Sequence, residues 1–143
     1  MAWSVKYDTS TGIVIVLYTG HVTSVELREA GSERVRLQKE TGATSVLVDT
    51  SATEKLFART MDIYQIPTEL YIEKGATRQC RIAVVLPTPK KAREEALFFE
   101  TVARNRGWPV KVFEEHQDAV DWLLDSALYK RQDAHDRLNK SCS

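Results

Sequence analysis

Apolar and polar residues alternate from the start of the chain, where Trp3, Val5 and Tyr7 interleave with Ser4, Lys6 and Asp8. A period of two is that of a strand with one buried face. After the turn residues Asp8-Thr9-Ser10-Thr11-Gly12, the run Ile13-Val14-Ile15-Val16-Leu17-Tyr18 is apolar on both faces, as a strand covered on both sides is. The two segments predict an opening hairpin with its first strand at the sheet edge. Thr23 followed three residues later by Glu26 is the reciprocal pair that caps a helix start, and Val25, Leu27, Ala30, Val35 and Leu37 supply apolar positions before Gly42 stops the helix. Ser45-Val46-Leu47-Val48-Asp49 then reads as a short buried strand ending in a polar loop, Asp49-Thr50-Ser51-Ala52-Thr53.

The stretch from Glu54 to Gly75 is rich in Leu56, Phe57, Met61, Ile63, Tyr64, Ile66, Leu70, Tyr71 and Ile72. That density predicts helix, and Pro67 predicts two short pieces instead of one. Arg81-Ile82-Ala83-Val84-Val85-Leu86 is a further buried strand, and Thr88-Pro89 predicts a helix start with a capping hydroxyl and a first-turn proline, ending at Gly107. Pro109-Val110-Lys111-Val112-Phe113 is the fifth strand, and the helical spacing of Ala119, Val120, Leu123, Leu124, Ala127 and Leu128 predicts a last helix over Asp118 to Leu128. The order ββαβαβαβα predicts an α/β fold with a mixed, mostly parallel five-stranded sheet, opened by a β-hairpin and packed with helices. One domain is expected over 1–128, with a polar tail over 129–143 expected to fray.

Composition removes several function classes. Among 143 residues, twenty Lys and Arg balance twenty Asp and Glu, so net charge gives no reason to expect nucleic acid or an anionic membrane as partner. The longest apolar run, Ile13 to Tyr18, is far short of the ~20 residues that span a bilayer. Met1-Ala2-Trp3-Ser4 lacks a basic region followed by an apolar one, so a cytoplasmic location is expected. The two cysteines, Cys80 and Cys142, suggest neither a disulfide framework nor a metal site.

Catalytic patterns are equally sparse. The six glycines are scattered, with no phosphate-cradling loop. No serine sits in a nucleophile elbow, and His21, His116 and His135 have no metal-ligand spacing. Asp49 ends a strand as a phosphate-accepting aspartate does, but the acidic residues that would build a magnesium site beside it are missing after the first strands. No cofactor and no enzymatic activity are expected.

Two features carry the remaining functional expectation. Asp49, Thr50 and Ser51 place two hydroxyls after a buried strand, before a segment expected to be helical. A phosphate there would meet free amides and the positive end of that helix. Capping of the next helix is the plainer reading of the same hydroxyls. Phe57, Met61, Tyr64 and Tyr71 are apolar or aromatic enough to line a groove for a hydrophobic guest, core packing again being the plainer reading. Lys90, Lys91, Arg93, Arg104 and Arg106, with Glu94, Glu95 and Glu100 between them, read as a solvated mixed-charge helix.

The strings Gly12-Ile13-Val14 through Tyr18 and Gly20, Val22-Thr23, Val48-Asp49, Asp62-Ile63-Tyr64, Arg81-Ile82-Ala83-Val84-Val85, and Phe113 with Ala119-Val120-Asp121-Trp122-Leu123 resemble the SpoIIAA-like branch of the STAS superfamily over roughly residues 3 to 128. The resemblance implies a bacterial, non-enzymatic protein-interaction or regulatory module. Anti-sigma-factor antagonists carry an Asp-Ser-Ser-Gly-like loop phosphorylated at its first serine by a partner kinase. Matched by residue, Asp49 takes the aspartate, Thr50 the phosphorylated position and Ser51 the second serine, while Ala52 stands where glycine is expected. The alternative expectation is a carrier or sensor of a small apolar or lipid-like ligand, held between the helices of Thr53 to Gly75 and the sheet. Trp3 on the edge strand offers a contact for a homodimer.

Overall fold

A computed structural model of the chain describes residues 2–124. The last turn of the final predicted helix and the tail over 129–143 lie outside the described residues. Five strands stand in the order β1 (Trp3–Asp8), β2 (Ile13–Thr23), β3 (Ser45–Phe57), β4 (Arg81–Val85) and β5 (Val110–Phe113). β1 pairs antiparallel with β2, and every other pairing is parallel. The α/β class and the opening hairpin are those expected. The hairpin closes on Asp8, whose carboxylate accepts from Ser10 N–H, Ser10 Oγ and Thr11 Oγ1.

α1 (Ser24–Thr41) begins at the Thr23 cap, with the reciprocal Glu26 bond in place, and ends at Gly42 in the left-handed conformation. After β3 come α2 (Thr60–Gln65), a π-helical turn (Ile66–Leu70) and α3 (Tyr71–Glu73). Pro67 therefore does not break this helix in two. The turn widens around it, a known way of absorbing a residue that cannot donate to the ladder. α4 (Lys90–Asn105) has Pro89 at its N-cap with no side-chain cap bond, so the expected Thr88 cap is not formed. Its far end closes as predicted on Gly107, with Trp108 N–H bonded to the Ala103 carbonyl. Residues 116–124 are helical and form α5.

The sheet divides the core. Val14, Val16, Tyr18, Val46, Ile82, Val84 and Val110 point to one face, together with Ala30 and Val35 of α1 and Ala92 and Ala103 of α4. Ile13, Leu47, Ala83 and Val85 point to the other face, where Ala119 and Leu123 of α5 cover them. Alternation along the four-strand part of the sheet thus places α1 to α4 over one face and α5 on the other.

The largest departure from expectation concerns Asp49 to Thr53. These residues are not a loop before a helix. They lie inside a thirteen-residue strand that continues to Phe57 and pairs with β2 as far as Thr23↔Phe57. β4 stops at Asp49↔Val85, so the rest of β3 forms a two-stranded ribbon with β2. Two register shifts, between Leu17 and Thr19 and between Gly20 and His21, each set an extra β3 residue against β2, and Gly20 takes a positive φ of 66° at the second. Each bulge resets the side-chain phase, so that Thr50, Thr53 and Leu56 all face inward although they are three residues apart.

Candidate functional site

The helical face of the sheet contains a cavity of about 100 Å³. Val16, Tyr18, Val48 and Val84 floor it, while Thr50, Thr53 and Leu56 enter from the ribbon. α1 contributes Leu27, Gly31 and Arg34, the α2–α3 segment contributes Ile63, Ile66 and Tyr71, and α4 contributes Glu95, Ala96 and Phe99. The lining is apolar apart from a few groups, and two of those have unsatisfied atoms. Arg34 is only 2% exposed. Its Nη1 donates to Gln38 Oε1 at 2.8 Å and its guanidinium lies 4.4 Å from the Tyr71 ring centroid. Its Nη2 has no hydrogen-bond partner among the described residues. Glu95 Oε1 accepts from Thr60 Oγ1 at 2.8 Å, whereas the buried Glu95 Oε2 has no partner among the described residues. Burial pushes the Tyr18 hydroxyl far above its ordinary range, with Tyr71 adding to the shift and Arg34 opposing it.

Tyr71 is held from behind. Its ring meets Trp108 edge-on at 5.3 Å and Phe99 at 6.4 Å, and Trp108 Nε1 donates to the Pro67 carbonyl at 2.9 Å. The widened turn is thereby tied to the residue that follows α4.

The seven residues singled out from the sequence are not brought together. Thr50 points to the helical face, lines the cavity and donates its hydroxyl to the Val85 carbonyl at 2.5 Å. Asp49 and Ser51 point to the opposite face. Ser51 is exposed, and both its N–H and its Oγ donate to Asp49 Oδ1, at 2.9 and 2.6 Å. No helix follows them until Thr60, so a phosphate there would not sit at a helix N-terminus. Of the aromatic group, only Tyr71 lines the cavity. Phe57 is the last residue of β3, not part of a helix, and is 48% exposed beside His21 and Lys55. Met61 is 57% exposed. Tyr64 is half-buried, and its hydroxyl accepts from Arg106 at 2.9 Å. Trp3 packs against the core from the edge strand.

Arg34 and Glu95 were not legible as site residues, because each sits in a run of charged positions. One signal was available: Ala30, Arg34 and Gln38 share one helix face, which put a cation on the same stripe as a core alanine. The α4 charges are also less solvated than expected. Glu100 accepts from Val112 N–H at 2.7 Å, and Arg93 is paired with Glu114. Among the described residues no group of His, Cys, Asp or Glu is placed to hold a metal, and no helix is long and apolar enough to cross a membrane.

No protein-family model and no curated protein sequence matches the chain. Solved structures do match its fold. An anti-sigma factor antagonist from Mycobacterium paratuberculosis superposes with a TM-score of 0.57 at 15% identity, over 85% of this chain and 92% of that one. An uncharacterised protein from Shewanella loihica PV-4, described as having a SpoIIAA-like fold, gives 0.48 at 17% identity over 85% and 92% of the two chains. The anti-sigma factor antagonist SpoIIAA in its unphosphorylated form gives 0.45 at 12% identity over 96% and 98%. The last two, below 0.5, add no weight. A mixed five-stranded sheet opened by a hairpin, superposing on the first of these, shows the fold: this chain has the SpoIIAA-like α/β fold of that anti-sigma factor antagonist.

Proposed function

We propose that this chain is a non-enzymatic regulatory module that acts by binding another protein, with Asp49 and Ser51 on the docking surface. The observation that carries this reading is the fold shared with an anti-sigma factor antagonist across 85% of the chain, in a domain whose exposed hydroxyl at Ser51 lies where β4 stops covering β3. The same likeness supports a bacterial, cytoplasmic setting.

Ser51 is the modification acceptor in this reading, although the family resemblance points to Thr50. A kinase needs a hydroxyl at the surface, and the Thr50 hydroxyl is turned inward onto Val85. Phosphate on Ser51 removes the donor that Asp49 Oδ1 now accepts and brings about two negative charges against that carboxylate. Like-charge repulsion then opens the local bond pair and changes the surface a partner meets.

The test is affinity purification from the native host after crosslinking, comparing the natural chain with Ser51→Glu and Ser51→Ala, with intact mass measured on each. A protein retained by the natural chain and lost from Ser51→Glu, with a phosphorylated mass absent from Ser51→Ala, supports the reading. Identical partners for both chains together with an unmodified mass would overturn it.

A further inference from the structure

Arg34 is a fully buried cation that takes part in none of the ion pairs found among the described residues. Arg34 lines the cavity, its guanidinium bonds Gln38 and lies against Tyr71, and its Nη2 has no hydrogen-bond partner among the described residues. A buried guanidinium is ordinarily matched by a carboxylate or phosphate, because removal from water is unfavourable unless the charge is paired and bonded. Among the described residues no acceptor meets this atom, and a bound anion would supply it.

The far wall sets a second requirement. α1 lies over β1 and β2, whereas α4 lies over β3 and β5, so Arg34 and Glu95 stand on opposite walls. The unpartnered Glu95 Oε2 calls for a donor at the other end of whatever occupies the space. Between them the surface is apolar: Val16, Val48, Ile63, Val84, Ala96 and Phe99. Size sets the third requirement. The space is about 100 Å³ and open to solvent on one side, of the same order as an apolar cavity of about 150 Å³ that takes benzene, so its inner part suits a body of about ring size.

We propose that this cavity binds a small monocarboxylic acid with a ring-sized apolar body and a hydroxyl or amino group opposite the carboxylate. The carboxylate bonds Arg34 Nη2, the body lies over Val16, Val48 and Val84, and the opposite donor reaches Glu95 Oε2. This site is separate from the Asp49–Ser51 surface, and Ser51→Glu leaves it unchanged.

The test is a titration of the full chain, followed by amide and arginine side-chain NMR shifts, with three probes: benzoate, 4-hydroxybenzoate and the neutral benzyl alcohol. Saturable shifts are expected at Gly31, Tyr71, Ala96 and the Arg34 side chain. 4-Hydroxybenzoate binds at least as tightly as benzoate, and benzyl alcohol binds at least about tenfold more weakly than either, the usual effect of losing a bond to a charged group. Ala96→Leu fills the cavity without touching Arg34 and abolishes the shifts. Arg34→Gln removes the tenfold preference for the carboxylate even if Ala96→Leu fails to fold. The absence of saturable shifts with all three probes, equal affinity for benzoate and benzyl alcohol, or binding that survives in folded Ala96→Leu would each overturn the proposal.

Discussion

The Thr50 hydroxyl donates to the Val85 carbonyl at 2.5 Å, while the next residue, Ser51, turns its hydroxyl to the opposite side of the sheet. The first bond closes the last rung of the β3–β4 ladder, where the strand carbonyl has no further backbone partner on β3 after Asp49↔Val85.

Thr50→Val keeps the shape and removes the donor, leaving a buried carbonyl short of a bond. It is expected to destabilise the fold by about 1–2 kcal/mol, whereas Ser51→Ala stays within about 0.5 kcal/mol of the natural chain. Urea denaturation followed by circular dichroism reads both. Equal midpoints for the two variants would show that the Thr50 bond contributes nothing.

Trp108→Phe removes the Nε1 bond to Pro67 and part of the surface against which Tyr71 rests. A loss of about 2 kcal/mol is expected from the bond and the lost volume together. The same denaturation series measures it, and a variant as stable as the natural chain would mean that the widened turn does not depend on this tie.

Burial raises the Cys80 thiol from an ordinary 9.0 to about 11, and burial likewise raises the Tyr18 hydroxyl. Below pH 9 both states keep the thiol proton and its contribution to stability is complete. Above pH 9 the unfolded chain ionises first, so stability falls as pH rises toward 11. Denaturation midpoints taken across that window should decline in the natural chain and decline less steeply in Cys80→Ala. Parallel slopes for the two would remove Cys80 as a cause.

Arg34→Met exchanges an unpaired buried cation for an apolar side chain of similar length. The expected result is a protein as stable as the natural chain or about 1 kcal/mol more stable. A loss above about 2 kcal/mol in thermal or urea unfolding would instead assign the guanidinium a structural task through Gln38 and Tyr71.

The regular parts of the fold were legible because their physics is local. Thr23 and Glu26 three residues apart announce a cap, and the β-branched runs at Ile13, Ser45 and Arg81 announce strands covered on both faces. The β3 ribbon was not legible. Its two bulges replace the period of two with inward residues at Thr50, Thr53 and Leu56, and its exposed side carries Glu54 and Lys55. Reading that segment as a loop put a helix start beside Ser51 and moved Phe57 from a strand end to a groove. The cavity was hidden for another reason: what Arg34 and Glu95 Oε2 face depends on how α1 and α4 lean on different strands, and spacing within one helix does not record the other.

The π turn over Ile66–Leu70 makes the cavity wall sensitive to chain length as well as to side-chain chemistry. Each helical residue advances the direction of its side chain by about 100°. Four such residues turn the chain about as far as the five of the π turn, so deleting one residue there would restore an ordinary α-helix with Tyr71 still directed at the Arg34 guanidinium, while the buried positions Ile66, Pro67 and Leu70 could not all keep their places. A chain of this fold without the extra residue would then keep the aromatic wall at Tyr71 and present a different one at Ile66, which also lines the cavity.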